Sequence, residues 1–135
     1  MTKATRLHRK PHYLPFMFLC FLCLFVPNVA GNAEVERSEI RCGWFSNPTP
    51  SNASLHDRDA EWIISVQGGY QAQGDWPEFG PRQWIETNVH YGYGCVCLRV
   101  RVNRETHRVI EIESSKPRPL SACRSDRKLK RWGFK

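Results

Sequence analysis

The sequence predicts a mainly β fold: one small β-domain stapled by disulfides, with a short helix near its C-terminus. Three observations predict it. First, Val96, Leu98, Val100 and Val102 alternate with Cys95, Cys97, Arg99 and Arg101. A period of two places these sets on opposite faces of a strand. Second, Ile110 and Ile112 alternate with Glu111 and Glu113 after a polar interval, which supplies a partner strand. Third, four cysteines remain once the apolar N-terminal run is set aside: Cys42, Cys95, Cys97 and Cys123. An even set in a small exported domain reads as disulfides.

Export is read from the first residues. Lys3, Arg6, Arg9 and Lys10 make a basic start, Leu14 to Val26 is almost wholly apolar, and small residues follow at Ala30, Gly31 and Ala33. This is the order of a secretory signal peptide, assigned to residues 1–33. The apolar run is shorter than the ~20 residues a spanning helix needs, so no stable membrane span is expected after cleavage. Cys20 and Cys23 leave with the leader. Residues 34–40 are polar and read as a mobile start, 41–129 as the single domain, and 130–135 as a basic tail. The expected location is outside the cytoplasm.

Charge narrows the partners. From Glu34 onward there are 16 basic and 13 acidic residues, a net +3. Arg124 to Lys135 alone contributes six bases and one acid, so the rest of the mature chain is mildly acidic. A nucleic-acid-binding domain carries its charge on a folded face, and no nucleic-acid partner is expected.

Arg41 to Phe45 brings the first apolar residues of the domain. Ser46 to Asn52 contains Pro48 and Pro50, and is expected to be neither helix nor central strand. Asn52-Ala53-Ser54 fits the N-glycosylation pattern, which matters only in a eukaryotic secretory route. Trp62 to Val66 is a strand ending at Gly68-Gly69. Asp57, Asp59 and Glu61 alternate before it but lack the glycine and the terminal Glu of a calcium loop, so they read as a solvated strand entry. Gly69 to Pro81 is a long loop and Gln83 to Thr87 a short strand. Val102 is expected opposite Ile110, Val100 opposite Ile112, Arg101 opposite Glu111 and Arg99 opposite Glu113. Glu105-Thr106-His107 is then a three-residue turn with His107 left-handed. Leu120 to Leu129 can hold a short helix carrying Cys123.

Cys95 and Cys97 are two apart and share a face of their strand. Each is expected to bridge a different end of the domain, one to Cys42 and the other to Cys123, with the assignment open. Arg99 and Arg101 share that face, which places the bridges beside a partly polar surface. The C-x-C spacing argues against a zinc site, and no metal or cofactor is expected.

No nucleophile elbow, phosphate loop or dinucleotide fingerprint occurs. His90 activating a free Cys95 is set aside because exported cysteines are bridged. Asp75, Glu78 and Glu86 are the carboxylates that a small hydrolase would use. The surplus aromatics of loop-like sequence carry the leading reading, a binding face formed by Trp76, Tyr91, Tyr93 and Tyr70. Its partner would be a protein or glycan. A structural component with no specific ligand is the third reading.

Arg41-Cys42-Gly43-Trp44-Phe45-Ser46-Asn47-Pro48-Thr49-Pro50, the Trp62 strand ending Gln67-Gly68-Gly69, and Tyr91-Gly92-Tyr93-Gly94-Cys95-Val96-Cys97 resemble a family of small exported bacterial proteins. It is catalogued as domain of unknown function 4087. The likeness runs from about Arg41 to Leu129. It implies a bacterial location, periplasmic or secreted, with an envelope protein or glycan as partner or a structural envelope role, and four framework cysteines; it brings no activity, cofactor or catalytic residue.

The leader reading has a direct test. Mass spectrometry of the exported protein is expected to give an N-terminus between about Asn32 and Val35; an intact Met1 would contradict it.

Overall fold

The computed structural model describes residues 37–135, so the leader assigned to residues 1–33 lies outside them. Six strands form one sheet: β1 (Glu39–Thr49), β2 (Asn52–Asp57), β3 (Glu61–Ser65), β4 (Trp84–Asn88), β5 (Tyr91–Asn103) and β6 (Arg108–Arg118). A helix α1 (Leu120–Arg124) and a 3-10 turn (Leu129–Trp132) follow. The mainly β expectation holds, as does the short helix carrying Cys123. No described helix is long and apolar enough to cross a membrane.

The strand order is β1-β2-β3-β6-β5-β4, and β1 also pairs with β5. Five strands therefore return on themselves as β1, β2, β3, β6 and β5. The pairings in this circuit are antiparallel except β3 with β6, which meet in parallel at Ile63 and Arg108. The result is a partly open five-stranded barrel, an architecture of which OB-folds are one example. β4 stands outside the circuit and pairs with the Tyr91–Gly94 end of β5.

β5 is long enough to serve three neighbours. Its inward Val96, Leu98, Val100 and Val102 meet Phe45, Leu55, Trp62, Ile64, Val109 and Ile112 in the barrel core. Each such side chain contributes about 1.5–3 kcal/mol on burial.

The β5–β6 hairpin keeps the expected pairs Val100–Ile112 and Arg101–Glu111, but Val102 meets Val109 and Arg99 meets Ser114. Two bulges cause the difference. Val109 and Ile112 both face the core, and an odd spacing of three allows this only if one extra residue is inserted between them. Ile110 is that residue. Its carbonyl accepts a bond from Gln73 N, and Ile112 N donates to Gln73 O, so the loop after β3 docks on the bulged edge. Gly74 follows with φ 88°, and a Cβ there would lie 2.1 Å from Ile112 O. The turn spans four residues, Arg104 to His107, rather than three, because Asn103 pairs with Arg108. His107 is left-handed as expected, with φ 50°.

Three other expectations are corrected at the domain's ends and first hairpin. β1 begins at Glu39, inside the stretch read as mobile, and Ser38 Oγ bonds Glu113 at 2.6 Å. β1 also continues through Pro48 to Thr49 as an interior strand. The proline is tolerated because the β1–β2 register shifts between Ser46 and Thr49, leaving it at an irregularity where no ladder bond is required. β3 starts one residue earlier than expected, and the loop from Gly69 to Pro81 holds only isolated bridges.

The solvated reading of the Asp57 stretch fails at Asp57 itself. It ends β2 facing into the barrel, and its side chain is 5% exposed beside an Arg41 that is 6% exposed. Asp57 Oδ2 accepts from the Arg41 guanidinium and from Trp62 Nε1 at 3.0 Å. Its Oδ1 accepts from the backbone of Asp59 and Ala60, each at 2.7 Å. The guanidinium also lies 3.8 Å from the Trp62 ring centroid. Burial works against the Arg41 charge, and the hydrogen bonds with Asp57 and Glu39 outweigh it, so its pKa is raised.

Removing one partner of a buried pair leaves the other uncompensated. Asp57→Ala is therefore expected to cost about 3–5 kcal/mol. It would be read as a lower urea midpoint at unchanged slope; a loss under about 1 kcal/mol, the range of exposed pairs, would contradict it.

Candidate functional site

Adjacent residues Trp44 and Phe45 point to opposite faces of β1, and each gathers an aromatic cluster. One cluster is closed and the other is open.

The closed cluster lies outside the barrel. Trp44, Cys95, Cys123 and Leu129 form its buried centre, with Tyr93, Trp132 and Phe134 packed on it. Phe134 lies 5.7 Å from Trp44, 4.9 Å from Tyr93 and 5.0 Å from His56, between ring centroids. Trp132 is 5.0 Å from His56, and its Nε1 donates to Asp57 O at 2.8 Å. Arg58 binds Asp126 at 2.6 Å, and Tyr93 Oη donates to Lys135 O at 3.1 Å. Residues 130–135 are thus a docked strap and not a tail. The apolar Trp132 and Phe134 pack on the sheet, while Lys130, Arg131 and Lys135 around them are exposed.

The disulfides belong to this outer face. Cys42 bridges Cys97 directly across β1–β5, and Cys95 bridges Cys123 in α1. Each β5 cysteine goes to a different end, as expected. The bridges stay out of the barrel core and border a cavity lined by charged residues, as expected, with Cys95 and Cys123 themselves buried under the strap. With Cys95 bridged, the thiolate reading for His90 is closed.

The open cluster lies at one end of the barrel. Phe45 meets Trp76 at 5.8 Å, Phe79 at 5.8 Å and Trp84 at 6.3 Å, and Phe79 meets Trp84 at 5.0 Å. With Asn47, Pro77, Gly80, Pro81 and Glu86 they line a depression of ≈ 680 Å³, within the size range of small-ligand sites. The proline-rich loop lays Trp76 and Phe79 across the barrel end. Gly94 makes this possible: a Cβ there would sit 2.5 Å from Phe79 Cε1 and 2.6 Å from Gln83 O. Trp76 Nε1 is buried without a hydrogen-bond partner.

Of the four expected binding residues, only Trp76 lines this depression. Tyr93 belongs to the closed cluster, and Tyr91 heads β5 on the same face by alternation. Tyr70 pins the loop after β3, donating to Val109 O at 2.6 Å beneath the Arg108 guanidinium. Sequence reasoning missed Phe45 and Trp84 as site residues because both sit in strands. Among the three carboxylates, Glu86 lines the depression and Asp75 and Glu78 do not. A second cavity of ≈ 590 Å³, beside both disulfides, is lined by Arg41, Asp57, Arg58 and Asp126. These charges already pair with one another.

Fold and site define a small disulfide-bonded β-barrel domain with one open aromatic end. The chain belongs to the family described as Protein of unknown function (DUF4087), which matches residues 36–130. No curated protein and no solved structure matches the chain. Trp132 and Phe134 fall just past the matched residues.

His56, under the strap, gives the closed cluster a pH dependence. Burial pushes its pKa below the ordinary 6.5, Glu61 opposes this, and its Nδ1 is buried without a partner. A depressed histidine favours the folded state only while neutral. Stability from this contact is full above about pH 6.5 and falls as pH drops through the lower folded value. His56→Phe is expected to flatten that acid-side loss in urea titrations; an unchanged pH slope would count against it.

Proposed function

We propose that this protein is a non-enzymatic, exported binding module of the bacterial envelope, and that its ligand occupies the aromatic depression of Phe45, Trp76, Phe79 and Trp84. The open depression is the observation that carries the reading. Aromatic side chains dominate protein recognition, and the closed cluster takes up Trp44 and Tyr93 while Tyr70 pins the loop after β3. Export is supported by the leader pattern and the two disulfides. That only Glu86 of the three candidate carboxylates lines the depression favours binding over a two-carboxylate hydrolase, which needs its pair ~5–10 Å apart.

A protein segment is favoured over a glycan by β4. It has a single strand neighbour, and its sequence Trp84-Ile85-Glu86-Thr87-Asn88 contains neither Lys nor Pro. The part of β6 beyond Ile112, whose ladder partner is β5 alone, carries Lys116 and Pro117. Lys and Pro are the residues that protect free edges from pairing. The unprotected edge beside the depression suits an extended chain adding as a strand, with alternate side chains entering the aromatic site.

The test is pull-down from a periplasmic extract followed by calorimetry with the captured protein. Trp76→Ala is expected to weaken binding by at least about 2 kcal/mol, the scale of a hot spot. Tyr91→Ala is expected to leave it unchanged. Equal affinity of the wild type and Trp76→Ala would overturn the site, and capture by a glycan array alone would overturn the choice of a protein segment.

A further inference from the structure

The strap turns what reads as a flexible basic end into a fixed cationic face. Its aromatics are spent on Trp44, Tyr93 and His56, and Arg131 stacks over the Trp132 ring at 4.6 Å. Arg127, Lys128, Lys130 and Arg131 are exposed. The one acid among them, Asp126, is held by Arg58 at 2.6 Å. β6 extends the patch. Lys116 pairs in register with Cys97 and Arg118 with Cys95, so both stand on the outer face where the Cys95–Cys123 bridge brings in α1. Arg118, Ala122, Cys123 and Asp126 line one common cavity wall.

The charge is therefore uneven, with Asp59 and Glu61 bordering the strap at Arg131. The bases gather on the outer face of β1 and β5. The aromatic depression lies on the inner face of the same strands, and the loop that walls it carries Asp75 and Glu78 beside its own Arg82. From these observations the geometry points to a second function: the strap face docks the protein on an anionic bilayer surface, through lipid phosphate headgroups, and leaves the aromatic depression turned away from the bilayer. A single-stranded nucleic acid fits this face less well, because such sites combine a basic track with aromatic stacking platforms, and Trp132 and Phe134 are turned inward. The bases stand on the turn after α1, on the 3-10 turn and on β6, which suits a broad charged surface.

The experiment is co-sedimentation of the processed, exported protein with vesicles. Phosphatidylcholine vesicles are compared with the same vesicles containing phosphatidylglycerol. Binding is expected only with phosphatidylglycerol, and is expected to disappear as salt is raised. Arg127→Gln, Lys128→Gln and Lys130→Gln alter exposed side chains. Each is expected to weaken binding about fivefold, and the three together on the order of a hundredfold. Should the triple variant misfold by near-ultraviolet circular dichroism, Lys116→Gln with Arg118→Gln on β6 gives the same test. Trp76→Ala is expected to bind vesicles normally, which separates this surface from the depression. Equal binding to both vesicle types, or unchanged binding by the folded variants, would overturn the proposal. Displacement by inorganic phosphate at matched phosphate concentration would replace it with a small-anion site.

Discussion

The structure depends on β5 being shared. One edge carries β1 along Tyr93–Val100 and beyond to Gly92, and the other carries β6 and then β4. Closure of the barrel and attachment of the strap both pass through this strand. The two cysteines on its outer face secure both. Cys42–Cys97 clamps the β1 seam across 55 residues of sequence, and Cys95–Cys123 holds the C-terminal elements across 28. By the loop-entropy relation each is worth about 4 kcal/mol, most of it through the unfolded chain. For a domain of under a hundred described residues, that is comparable to an entire net stability of about 5–15 kcal/mol. The parallel contact of β3 with β6, a single pairing, is the weak seam that this covalent support offsets.

What was legible in the sequence follows from the range of the interactions. Alternation in β5 is local, and it identified the strand, its inward face and the face shared by the cysteines. His107 was legible because a tight turn restricts its own backbone. The bulges in β6 were not. They arise because Val109 and Ile112 must both reach the core while Gln73 bonds the backbone between them, and Gln73 comes from a loop with no periodic signal. Pro48 misled for a related reason: it lacks an N–H, but the register shift beside it removes the need for one.

The strap was misread because charge dominates its composition. Six bases between Arg124 and Lys135 resemble a solvated tail. Leu129, Trp132 and Phe134 recur at spacings of three and two, too few for a periodic pattern. Their partners Trp44, His56 and Tyr93 lie some 40 to 90 residues earlier in sequence. Asp57 was misread in the same way. Its neighbours Asp59 and Glu61 suggest a solvated run, yet Arg41, sixteen residues away, neutralises it inside the barrel.

Strand parity explains why the expected aromatic site divided. Tyr91 and Tyr93 were grouped with Trp76 because all three stand beside glycine or proline. In β5, however, the tyrosines share a face with Cys95 and Cys97, and the glycines between them open the other face. Gly94 is the deciding position. Its missing Cβ lets Phe79 reach the strand, and Phe79 in turn supports Trp84 and meets Phe45. The same tetrapeptide thus commits Tyr93 to one cluster and Gly94 to the other. A side chain at Gly94 would drive Phe79 and the backbone at Gln83 off the barrel end while leaving Trp44, Tyr93 and the Cys95 bridge on their own face. The open depression is accordingly separable from the framework that carries it. Its shape rests on a loop packed over glycine, whereas the closed cluster rests on a disulfide and a docked strap.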